Sequence, residues 1–81
     1  MSHLGEGWIV RILIRNVYTK LYLNSGDWIE DIDQARDFEI GTDAIAFAAA
    51  HHLINFEIIY AFANPQYNVG TGKIDIESSL I

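Results

Sequence analysis

Residues 8–14 read Trp-Ile-Val-Arg-Ile-Leu-Ile, and a period of two places Trp8, Val10, Ile12 and Ile14 on one side. Three isoleucines and a valine favour the pleated, half-buried surface of a strand. The opposite side carries Ile9, Arg11, Leu13 and Arg15, a mixed face expected to be half covered. Asn16 is a turn former, and residues 19–23 resume the alternation with Leu21 and Leu23 together, so the two runs predict an antiparallel hairpin. Asn24-Ser25-Gly26-Asp27 closes it, because glycine reaches positive φ and Asn and Asp bond nearby amides.

Residues 28–38 are acidic and lack a long apolar period, which predicts a loop with a short helical turn near 33–37. Phe38-Glu39-Ile40 reads as a short strand. Gly41-Thr42-Asp43 then reads as a helix start, with Thr42 as N-cap and Asp43 favoured by the dipole. The helix is expected over 43–53, supported by its alanines. Residues 56–62 alternate Phe56, Ile58, Tyr60 and Phe62 on one face before Pro65 intervenes, a strand pattern. Beyond residue 63 the chain turns polar, and only Ile74 and Ile76 alternate as an edge strand does.

These elements predict an α+β fold, an antiparallel sheet of three to four strands with one main helix on one face. The expected core is Val10, Ile12, Ile14, Leu21, Leu23, Trp28, Ala35, Phe38, Ala44, Phe47, Ala48, Ile58 and Tyr60. At 81 residues a single domain is expected over 1–81, packed from about 8 to 62, with 63–81 as a polar tail carrying that edge strand. The order of strand, turn, strand, then Trp28, Ala35, Phe38, Thr42 and Ala44, a helix and a closing strand, resembles small bacterial and phage domains of unknown function. That resemblance spans residues 8–62, implies a shared scaffold in which two aromatics and a small residue anchor the loop before the helix, and implies no catalytic residue.

Apolar residues make up 51% of the chain and charged ones 20%, a balance that favours collapse over disorder. No cysteine is present, so disulfides and thiolate metal sites contribute nothing. The net charge of −6 is the wrong sign for nucleic acid or an anionic membrane. The most apolar stretch, 44–63, holds His51, His52, Asn55 and Glu57, which argues against a span. Glu6 and Arg11 interrupt a secretory pattern, and a soluble, cytoplasmic protein is expected.

The candidate chemistry is sparse. Residues 31–39 offer carboxylates, but Arg36 sits in their middle and no glycine follows the first acids, unlike a calcium loop. His51 and His52 are adjacent, so on a helix they diverge by about 100° rather than sharing one metal; one is expected half buried, the other at the helix end. His3 is recruited to no site. Gly70-Thr71-Gly72-Lys73 echoes a phosphate loop, yet Tyr67 replaces its first glycine and Ile74 its hydroxyl residue, so a turn is the expected reading. No catalytic, cofactor-binding or metal-binding residue is assigned, and no cofactor.

The helix has the more informative pattern. Ile45, Phe47, Leu53 and Ile54 scatter around its wheel, and no formally charged residue lies between Asp43 and Glu57. Its outer face is alanine, so Ile45, Ala46, Ala49, Ala50 and Leu53 are the expected interface of a homodimer or of a complex with another protein. The leading functional expectation is a non-enzymatic interaction or self-association module. The alternative is a small-ligand domain or weak enzyme using Trp28, Tyr22 and Tyr60 with His51 or His52.

Overall fold

The computed structural model describes residues 9–76; Trp8 and His3 lie outside them. The fold is α+β, one main helix on a five-stranded antiparallel sheet. The strands are β1 (Ile9–Asn16), β2 (Tyr22–Leu23), β3 (Trp28–Ile29), β4 (Phe56–Phe62) and β5 (Val69–Gly70), and the helix α1 is Gly41–Ala50. Their order across the sheet is β3-β2-β1-β4-β5. The two outermost strands are two residues long, too short to show a period, which is why the pattern indicates fewer strands than form.

β1 and β4 make the centre. Their register runs from Arg11↔Ala61 through Leu13↔Ile59 to Asn16↔Phe56, with a shift between Ile9 and Arg11. That shift is a β-bulge at the start of the strand; the expected burial of Val10 lies outside the described side chains. Ile12, Ile14, Phe56 and Ile58 are buried on one face beneath α1, with Leu23, Phe38, Ala44 and Ala48. Ala44 and Ala48 are fully buried; their small side chains let the helix lie close to the strands, while Ile45 and Phe47 pack on the cluster. The scatter seen on the wheel is this arrangement, two large side chains flanking an alanine ridge.

The opposite face is also covered. Leu13 is fully buried with Ile59 and Ala61, under Tyr22, Ile32 and Ala35. Ala35 therefore belongs to this second cluster rather than to the helix-side core. Arg11 explains the covering, since its Nη1 donates to the Ile32 carbonyl at 2.7 Å and holds the 3-10 turn Ile32–Gln34 against the face. Leu21, expected in the core, is half buried in the loop before β2.

Phe38-Glu39-Ile40 is not a strand. Glu39 adopts φ 66°, which turns the chain away after one contact, the Phe38 amide donating to the Ile12 carbonyl at 2.9 Å. Asp37 supplies the other half of that bridge: its Oδ1 accepts from the Ile12 amide at 3.0 Å and from the Glu39 amide at 2.8 Å. A carboxylate thus substitutes for a neighbouring strand where β2 no longer pairs with β1.

The helix begins earlier than expected, with Ile40 as N-cap and no side-chain cap; Thr42 lies inside the first turn. It also ends earlier. The His52 amide donates to the Ala49 carbonyl and the Leu53 amide to that of Ala48, the paired bonds of a Schellman motif, with His52 in the left-handed region at φ 55°. After β4, Asn64 caps the 3-10 turn Pro65–Tyr67. The chain then returns along β4 as β5 and ends its pairing at a Phe56↔Ile74 bridge.

Two stability changes follow. Asp37→Ala should lower unfolding free energy by about 2 kcal/mol, two bonds to a charged acceptor being lost, and Asp37→Asn by about half that; urea denaturation reads both. His52→Gly should raise it by about 0.5–1 kcal/mol, since a left-handed C-terminal position costs a side chain energy that glycine avoids; an unchanged or lower midpoint would contradict the strain.

Candidate functional site

The outer face of α1 is small and uncharged over most of its length. Ala46, Ala49 and Ala50 are exposed together, whereas Ile45 and Leu53 are half buried against the helix-side core. Past the helix, beyond the exposed His51 and His52, Ile54 is 70% exposed. Asp43 in the first turn is the only formally charged residue on the helix.

The aromatics and histidines weighed as ligand contacts do not converge. Trp28 lies on β3 and Tyr60 on β4, three strand steps apart in the sheet, or about 14 Å. Both pack against the helix-side core. His51 stacks on Phe47 at 4.1 Å between ring centroids, and Arg36 sits over Phe38 and Phe47 at 4.6 and 4.8 Å. Both histidines are exposed: His51 ends the helix, and His52 makes the left-handed turn after it. Among the described residues no three His, Asp or Glu side chains gather around a common point, and no helix is long and apolar enough to cross a membrane.

Gly70, Thr71 and Gly72 do not form a phosphate-type loop. The Thr71 amide donates to the Ile58 carbonyl at 3.0 Å, and Thr71 Oγ1 accepts from the Ile58 amide at 3.1 Å. The Gly72 amide donates to Glu57 Oε1 at 3.2 Å. The segment is stitched to β4, the Thr71 and Gly72 amides already committed.

That stitching borders a polar pair within the sheet, which the residue pattern did not indicate. Glu57, only 5% exposed, accepts at Oε2 from Nε and Nη2 of Arg15, at 3.0 and 2.8 Å. Burial works against the Arg15 charge, but the Glu57 bond and the nearby Tyr22 hydroxyl outweigh it and raise its pKa above the ordinary guanidinium value. Arg15 and Glu57 are directly opposite in the β1–β4 register, the geometry of a cross-strand ion pair. A signal was present in the sequence: two opposite charges within the two most β-like runs, each needing a partner if buried.

Beside the pair lies a cleft of about 250 Å³ floored by Ile59, with Tyr22 and Arg15 on one side and the turn into β5 on the other. A second hollow of about 270 Å³ lies between Leu53–Asn55 and residues 73–76. No family model, curated protein or solved structure matches the chain.

Gly70 is required by the close approach to this pair. A Cβ there would stand 2.6 Å from Glu57 Oε1 and 3.0 Å from Ile59 Cδ1. Gly70→Ala should therefore displace a buried carboxylate and destabilise by about 1–3 kcal/mol. A thermal midpoint equal to that of the unsubstituted chain would refute the packing.

Proposed function

We propose that this chain is a non-enzymatic protein-interaction module whose first partner is a second copy of itself, meeting through the outer face of α1. The supporting observation is the exposed, chargeless surface of Ala46, Ala49 and Ala50, with Ile54 exposed a few residues further on. Small side chains let two helices approach closely without desolvating a charge, and a twofold axis makes the same patch serve both copies.

Size sets the strength. A helix of this length is about 15 Å long and roughly 10 Å across, so its outer face offers a few hundred Å² at most, well below the roughly 800 Å² per partner of a stable complex. The association is accordingly weak, with a dissociation constant in the high-micromolar to millimolar range, unless the neighbouring Ile54 surface joins it. A chain carrying a net charge of −6 also repels its copy, so salt strengthens the contact by screening.

Ala49→Glu tests the reading without disturbing the fold, because glutamate on an exposed helix position costs only a few tenths of a kcal/mol in propensity. Sedimentation equilibrium from about 10 μM to 1 mM should show association in the original chain that the variant loses. Monomers throughout, or a dimer indifferent to Ala49→Glu, would reject the helix face as the contact.

A further inference from the structure

We propose that the cleft between Arg15, Tyr22 and the turn into β5 binds the carboxylate of a small organic acid whose short apolar body rests on Ile59. The polar lining sets the sign of the ligand. The lining includes Arg15, Tyr22 and Asn68 and no acidic residue, in a chain where acids outnumber Lys and Arg by 11 to 5. Glu57 is close but buried, and does not line the cleft. One of its oxygens takes Arg15 Nε and Nη2, and the other takes the Gly72 amide beneath Gly70. In this pair the arginine side chain is 26% exposed and the glutamate 7%, so the cation is the member that solvent and a ligand meet.

The guanidinium retains usable donors. Glu57 occupies its Nε edge, the Tyr22 hydroxyl also bears on the guanidinium, and no carboxylate among the described residues pairs with Nη1. The end edge of an arginine, formed by Nη1 and Nη2, presents two parallel N–H groups that match the two oxygens of a carboxylate. Held from behind by Glu57 and beside the Tyr22 ring at 5.9 Å, the fork is oriented before a ligand arrives, which reduces the ordering cost of binding. Asn68 adds a donor at the rim: its Oδ1 accepts from the Phe62 amide at 2.8 Å, which leaves its NH₂ end for the cleft. Ile59, Pro65 and Val69 complete the lining with apolar surface. A volume of about 250 Å³ lies below the range of drug-sized pockets and suits an acid of about ten non-hydrogen atoms or fewer.

Benzoate is the probe, with benzamide as its neutral isostere and acetate as the carboxylate without the ring, each titrated into the full chain at constant ionic strength and followed by ¹H–¹⁵N NMR. Replacing Arg15 risks the fold through Glu57, so the test variant is Val69→Trp, a filled rim at a position 54% exposed. Expected is a saturable benzoate shift centred on the Gly70 amide, the Asn68 side-chain amide and Arg15 Nε–H. Acetate and benzamide should each bind about tenfold more weakly, the loss of one favourable contact type, and Val69→Trp should abolish the shift while keeping the remaining spectrum. Absence of saturation, equal binding of benzamide, equal binding of acetate, or benzoate binding unaltered by Val69→Trp would each overturn the proposal.

Discussion

The antiparallel contact between β1 and β4 carries the rest of the molecule, because it is the part of the sheet buried from both sides. Ile12 turns its amide and carbonyl outward to Asp37 and Phe38, and Ile58 turns its own toward Thr71. Ladder alternation then directs the amides and carbonyls of Leu13 and Ile59 toward each other. Leu13, Ile14, Phe56 and Ile58 are the largest fully buried side chains, and all four belong to these two strands. Each stabilises by about 2 kcal/mol, a substantial share of the roughly 5–15 kcal/mol that holds a small domain together. Everything else in the fold attaches to one face or one edge of this pair.

The attachments differ in kind, and that difference separates the helix face from the cleft beside Arg15. On the helix side the contact is apolar, with alanines drawing α1 down and Phe47 filling one flank. What remains outside is a small uncharged face. On the opposite side polar groups take part: Arg11 ties the covering turn through the Ile32 carbonyl, and Arg15 pairs with Glu57 across the two central strands. An arginine held rigidly at the side of a cleft is chemically directional in a way that exposed alanines are not. The first surface is the one proposed for weak contact between proteins, the second the one proposed for a charged group of definite shape.

The long strands were legible because β1 and β4 run eight and seven residues, enough for a period to emerge. The helix was legible for the same reason, but its ends were not. Thr42 has the chemistry of a cap, yet the backbone becomes helical before it, at Gly41, and a histidine occupies the left-handed exit where glycine is usual. Leu13 was placed on a mixed face because Arg11 and Arg15 flank it. Sequence alternation reports polarity, and it does not reveal that Arg11 spends its polar head on the Ile32 carbonyl of the covering turn and Arg15 on Glu57 of the neighbouring strand. Of the candidate site residues, the alanines were visible as an unbroken apolar composition. The close approach of Gly70 to Glu57 was not, since it joins positions that only the return of the chain after Pro65 brings together.

Native-state hydrogen exchange measures the central dependence most directly. The amides of Leu13 and Ile59 should exchange together and most slowly, at the free energy of global unfolding, while those of β3, β5 and the ends of α1 open at lower cost. If the slowest amides were instead confined to α1, with Leu13 and Ile59 exchanging as readily as the edge strands, the β1–β4 pair would not be the element on which the structure depends.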